Sequence, residues 1–186
     1  FKELEGVHNR TNFDLTRHTE YSGKDMQYID QDNGNERYIP YIIETSAGLT
    51  RNLLMFICDA YEEQKVADKG NDDDWRTVLH FHPLIAPVTV AVLPLMKKDG
   101  LAELAQEIQA ELREDFRTDY DQSGAIGKRY RRQDEVGTPF CVTVDYDSKE
   151  DGTVTLRFRD SMEQVRVPRA ELADRIRAEI KNYTRA

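Results

Sequence analysis

The run TVAVLPL at residues 89–95 carries no charge, and GLAELAQEIQAELRED at 100–115 follows with Leu101, Leu104, Ala105, Ile108 and Leu112 at helical spacing. An uninterrupted apolar run of that length is the mark of a strand covered on both faces. Strands of this kind pair in parallel only through crossover connections, and the helical segment supplies one. The alternation then continues. TDYDQ offers a short second strand, GAIGKRYRRQDEVG a basic helix closed by Gly137, and FCVTVDY a third strand. TVTLRFR follows the turn SKEDG as a fourth strand, and VPRAELADRIRAEIKNY places Pro168 near the first turn of a last helix. The predicted class is α/β, an open mixed sheet flanked by helices.

Upstream the pattern differs. GNDDDW at 70–75 cannot pack, and it follows the helix-like stretch LLMFICDAYEEQKVA at 53–67, so a domain boundary is expected near residue 70, between segments 1–70 and 75–186. In the first segment, DNGNE at 32–36 signals a hairpin turn after the short strand MQYID. RYIPYIIET at 37–45 reads as a buried strand with Ile39, Tyr41 and Ile43 alternating. Strand, small-residue turn and helix thus succeed one another across residues 37–67.

With 39% hydrophobic and 33% charged residues, the composition predicts a soluble globular protein. No apolar run approaches the ~20 residues of a membrane span, and no secretory signal pattern is present, which predicts a cytoplasmic protein. The first residue is Phe1, not Met, as expected of a fragment. Cys58 and Cys141 lie in apolar runs without ligand spacing and are expected to be buried thiols. The HFHP pair of histidines at 80–83 is expected to be structural or on the surface, not metal-binding. The net charge of -9 disfavours non-specific nucleic-acid binding, but residues 1–74 carry -8 of it and residues 75–186 only -1. The later bases are concentrated in KRYRR at 128–132 and in Arg157, Arg159, Arg166 and Arg169, and local patches rather than totals decide phosphate contact.

The candidate chemistry lies in the first segment. In ELEGVHNR, Glu3 and Glu5 alternate onto one side of a predicted strand, with Arg10 following. In ETSAGLTRNLL, small residues lead into a helix whose N-terminal amides favour anions, and Arg51 stands at that helix start. Carboxylates for a metal or an amine, together with an arginine and a helix end for phosphate, suit nucleotide chemistry.

The stretches ELEGVHNRTNFDLTRH, SGKDM, ERYIPYIIETSAGLTRNLL, IAPVTVAVLPL, SGAIGKRYRRQDEVGTPFCVTVDYD and MEQVRVP together resemble the C-terminal part of a bacterial-type glycyl-tRNA synthetase, from residue 3 to about 180. The resemblance implies the end of a class II antiparallel-sheet catalytic domain at 1–70, and at 75–186 an anticodon-binding domain with a mixed five-stranded sheet. It implies that Arg51, in GLTR, is the motif 3 arginine on the ATP γ-phosphate, and that Glu44, Thr45 and Ser46 bind glycine. Glu3 and Leu4 would flank ATP, with Glu3 a Mg²⁺ contact, and Gly48, Leu49 and Thr50 would line the nucleotide. Thr45 stands where the family has proline, and Thr50 where an aspartate is common. The implied partners are tRNA(Gly), glycine and ATP with Mg²⁺, in a homodimer when intact, with no tightly bound organic cofactor and no membrane. Arg129, Arg131 and Arg132 would meet tRNA. Motifs 1 and 2 of the class do not occur in these residues, so the fragment alone is expected to be inactive, because positioning can supply roughly 7–11 kcal/mol of a barrier. The rival expectation is a non-catalytic, synthetase-like protein that binds nucleic acid as an accessory or regulatory factor.

Overall fold

The computed structural model describes residues 3–66 and 74–184, and the chain divides into two units, Phe1–Met55 and Phe56–Ala186. The acidic connector expected near residue 70 lies almost wholly outside the described residues.

In the first unit β1 (Glu5–Asn9) leads to α1 (Phe13–Ser22), and β2 (Tyr28–Asp30) pairs with β3 (Glu36–Tyr38) as the predicted hairpin. The DNGNE turn is made by Gly34 and Asn35, both with positive φ, a conformation glycine and asparagine adopt at low cost. Then comes β4 (Ile43–Ala47), antiparallel to β1. The expected single strand at 37–45 is therefore two strands. Pro40 lies between them, and a proline has no N–H to give to a ladder. Tyr41 and Ile43 are exposed in this chain, not buried.

The division falls within α2 (Leu49–Ala60), which ends seven residues earlier than the sequence pattern indicates. Tyr61 begins β5 (Tyr61–Lys65), paired antiparallel with β6 (Trp75–Leu79). Cys58 is exposed on α2, against expectation, whereas Cys141 is buried and its thiol is pushed up to about 12 by loss of hydration.

The second unit is built on β7 (Val90–Pro94), α3 (Leu101–Leu112), β8 (Thr118–Tyr120), α4 (Ile126–Val136), β9 (Phe140–Val144), α5 (Tyr146–Asp151), β10 (Thr153–Phe158), β11 (Gln164–Pro168) and α6 (Leu172–Lys181). The five strands form one mixed sheet in the order β11-β10-β9-β7-β8, with β7 parallel to both β8 and β9 and the remaining pairs antiparallel. Because side chains alternate along a strand, Val90 and Val92 of β7 enter one layer with Leu101, Ile108, Leu172 and Ile176. Ala91 and Leu93 enter the other with Cys141, against Ile126 and Tyr130. Helices α3 and α6 therefore cover one face and α4 the other. Each fully buried leucine or isoleucine contributes about 1.5–3 kcal/mol to holding these layers together. No helix among the described residues is long and apolar enough to cross a membrane.

Candidate functional site

The pairing of β1 with β4 sets which side chains of the first unit share a face. Gly6 lies opposite Ser46 and His8 opposite Glu44, so these four belong to one face; Glu5, Val7, Thr45 and Ala47 belong to the other. Glu44 and Ser46 are thus together, and Thr45 points the opposite way. Glu3 precedes the first residue of β1, so it does not alternate with Glu5 as the sequence pattern suggested.

Gly48 leads directly into α2, whose first bond runs from the Asn52 amide to the Gly48 carbonyl. The first amides of the helix have no partner within it and point toward the turn. One side of a concave surface here is formed by Ser46, Ala47, Gly48, Thr50 and Arg51, the other by Glu3 and Leu4. The guanidinium of Arg51 donates from Nη1 to the backbone carbonyl of Glu3, which ties the start of the chain to the start of the helix. Six of the predicted residues, Glu3, Leu4, Ser46, Gly48, Thr50 and Arg51, therefore line one surface. Leu49 is turned outward and does not line it.

Glu44 stands beside a cation. Arg10 Nε lies 3.4 Å from Glu44 Oε2 and donates at 2.6 Å to Asp14 Oδ2, while its Nη2 donates at 2.8 Å to Asp14 Oδ1. The two-point hydrogen bond to Arg10 holds the Asp14 carboxyl below the usual carboxylate range. The Arg10 backbone is fixed as well, its amide donating to the Ile42 carbonyl at 2.9 Å. Sequence reasoning noted Arg10 and gave it no role. The available signal was its place immediately after β1, one strand away from Glu44.

The basic helix of the second unit divides by depth. Arg129 is only 2% exposed, and its Nη1 and Nη2 donate to the carbonyls of Pro94, Leu95 and Asp121 at 2.5, 3.2 and 3.2 Å. That burial removes Arg129 from the set of side chains able to meet an RNA, a correction to the sequence expectation. Arg131 donates to Asp74 at 2.7 Å, and Arg132 to the Asp121 carboxylate and, at 2.6 Å, to the Ser123 carbonyl. Only Arg131, Arg132 and Lys128 of this cluster reach the surface.

One turn on, Asp134 is fully buried and accepts from Arg157 at 2.8 and 3.0 Å and from Arg76 at 3.2 Å. Arg76 also donates to Gln64 at 2.9 Å and to the Arg159 carbonyl at 2.7 Å, so the β5–β6 hairpin is pinned to the sheet by a buried ionic network. His80 extends it, with Nδ1 2.6 Å from Asp160 and Nε2 3.1 Å from Gln64, so for His80 the structural alternative of the sequence reading holds. Among the described residues no group of three or more acidic, histidine or cysteine side chains is arranged to hold a metal.

Residues 89–179 match the family described as the anticodon binding domain. The chain is 88% identical, over all of its 186 residues, to a protein of Treponema denticola named glycine–tRNA ligase, of which it covers 41%. It is 58% identical to the glycine–tRNA ligase of Treponema pallidum, with all of the chain and 44% of that protein aligned. It is also 58% identical to that of Corynebacterium glutamicum, with 91% of the chain and 37% of that protein aligned. The chain thus spans about two fifths of the length of these curated relatives. The match over 89–179 takes in all five strands of the mixed sheet, so the second unit is similar to an anticodon binding domain, and the chain as a whole is similar to part of the glycine–tRNA ligases named above.

Proposed function

We propose that the chain supplies part of the machinery of a glycine–tRNA ligase: residues 1–70 complete the site that activates glycine with ATP, and residues 75–186 recognise the anticodon of tRNA(Gly). The observation that carries this reading is the convergence of Glu3, Leu4, Ser46, Gly48, Thr50 and Arg51 on one surface at the N-terminus of α2, in a chain so similar to named ligases. In the first step a carboxylate oxygen of glycine attacks the α-phosphorus of ATP and pyrophosphate leaves. In the second, a hydroxyl of the terminal adenosine of tRNA attacks the glycyl carbonyl and AMP leaves.

The residues divide the work by charge. A helix N-terminus with an adjacent guanidinium favours the ATP phosphates, and a flexible glycine turn lets them approach the backbone. Mg²⁺ arrives as part of the ATP complex; a single carboxylate, Glu3, suits a cation that keeps its phosphate and water ligands, because Mg²⁺ rarely relies on an all-protein cage. Glu44 matches the ammonium of glycine, Ser46 adds a hydroxyl, and Arg10, held by Asp14, places positive charge beside Glu44 for the substrate carboxylate. Thr45, on the other face of β4, acts through the backbone that aims its neighbours. In the second unit Arg131 and Arg132 are the accessible arginines of α4 available to an RNA backbone. The working enzyme is a cytoplasmic homodimer under this reading.

The test uses the Treponema denticola ligase with its matched segment replaced by this sequence. Arg51→Ala in that protein is expected to lower glycine-dependent ATP–pyrophosphate exchange by 10²-fold or more, as loss of one preorganised donor to developing charge does. Exchange at the unsubstituted rate would remove Arg51 from the site.

A further inference from the structure

His8 has no part in the reading above, yet it stands on the face where that reading places glycine. The β1–β4 register puts His8 opposite Glu44 and Gly6 opposite Ser46, so His8, Gly6, Glu44 and Ser46 form a four-residue patch on one side of the two strands. Directly opposed residues of an antiparallel pair have Cβ atoms roughly 4.5–5.5 Å apart, so a group bound between Glu44 and Ser46 is within reach of whatever covers positions 6 and 8.

The imidazole of His8 does not extend away from the sheet. It folds back along its own strand over Gly6, so closely that a Cβ added at residue 6 would sit 2.5 Å from His8 Nε2 and 3.3 Å from both Cδ2 and Cε1. Gly6 is buried although its neighbours on β1 are exposed. Its φ is not among the positive values, so the backbone at residue 6 does not itself demand glycine. The ring of His8 is the obstacle. Glycine at residue 6 thus leaves the space that the ring occupies, on the face that Gly6 shares with Ser46 across the strand pair.

We propose that His8 is a specificity-determining residue: its imidazole, seated over Gly6, walls the side of the Glu44–Ser46 patch toward which a substrate side chain would project, so the site accepts an amino acid without a Cβ. The proposal rests on the assignment of Glu44 and Ser46 to glycine. The wall is steric, so its function does not require the ring to gain or lose a proton. A pocket normally distinguishes substrates one methyl apart by about 10- to 200-fold, which is the range one well-placed ring can supply.

The experiment is ATP–pyrophosphate exchange with the Treponema denticola ligase carrying this sequence, measured with glycine and with L-alanine. In His8→Ala, kcat/KM for alanine relative to glycine is expected to rise at least tenfold. His8→Phe, which keeps a planar ring of similar breadth, is expected to retain most of the discrimination. Gly6→Ala is expected to raise the KM for glycine by displacing the ring, and to do so far less in a background that already carries His8→Ala. An alanine-to-glycine ratio within twofold of the unsubstituted value in His8→Ala would overturn the proposal. Glu44→Gln separates the two readings. If it weakens glycine use while His8→Ala leaves the ratio unchanged, only the role of His8 fails. If Glu44→Gln leaves the KM for glycine unchanged, the assignment of the patch to glycine fails and the proposal for His8 fails with it.

Discussion

At the scale of single residues, Asp134 shows how much of the second unit depends on one carboxylate. It is fully buried between Arg76 and Arg157, and Arg157 also lies over the Tyr130 ring at 4.8 Å. Removing one member of a buried ionic group leaves the others charged and unpaired, which costs roughly 3–5 kcal/mol. Asp134→Ala is therefore expected to lower stability by about that amount in urea unfolding of the second unit. A loss below ~1 kcal/mol would mean that the arginines find other partners. Asp160 responds to pH. Burial works to raise its carboxyl, but Arg159 and His80 outweigh burial and hold it below the usual range. A carboxyl depressed in the folded state stabilises above its unfolded pKa of about 3.9, and the contribution is lost as pH falls through the folded value. Relative to Asp160→Asn, the unsubstituted protein should hold an advantage in unfolding free energy that shrinks as pH falls below ~4. An advantage independent of pH down to 2 would contradict the assignment. Of this network only the HFHP histidines were singled out by the sequence; the buried pairing of Asp134 with Arg76 and Arg157 was not legible. Arg129, Gln133 and Asp134 give α4 a polar buried face, so a search for apolar spacing finds only a basic helix.

At the scale of elements, legibility followed burial. β7 and β9 are covered on both faces and announce themselves as apolar runs, and α3 shows its buried stripe of Leu101, Ala105, Ile108 and Leu112. β5 was missed because a mostly exposed strand, YEEQK, needs no apolar alternation, and its partner β6 lies across the acidic connector. The sequence pattern assigns Gln164–Arg166 to no element and starts the last helix at Val167, although Val165 and Val167 alternate toward the core and β11 pairs with β10 along its whole length. The SKEDG pattern predicts a turn where α5 forms; the signal for the helix is the capping box, in which Asp145 accepts from the Ser148 amide and Ser148 accepts from the Asp145 amide. Gly137 was legible as the end of α4, but not the reason for its strictness. With φ +84°, a Cβ there would lie 2.7 Å from the Leu79 carbonyl oxygen and 2.7 Å from Phe81 Cδ2, so the helix end is packed against the segment that follows β6. Gly137→Ala is expected to cost about 1–3 kcal/mol through backbone strain together with displacement of that segment, seen as a lowered Tm. An unchanged Tm would show that the segment yields freely.

At the scale of the whole molecule, the two units differ in how far a sequence alone explains them. The second unit carries its own layered core, and its α/β class follows from periodicity. The first unit's candidate site became visible through resemblance: the grouping of Glu3, Ser46, Gly48 and Arg51 depends on a strand register and a helix start that no spacing rule supplies. Arg10 and His8 come beside Glu44 only through cross-strand neighbours. The chain spans about two fifths of its relatives' length. The central claim concerns what it contributes within a ligase. Charging of tRNA(Gly) with glycine by the Treponema denticola enzyme carrying these 186 residues in place of its own matched segment tests that claim most directly. The account predicts a kcat/KM within about tenfold of the parent enzyme, which corresponds to a barrier change below ~1.4 kcal/mol. A folded hybrid that charges no tRNA with glycine would contradict it.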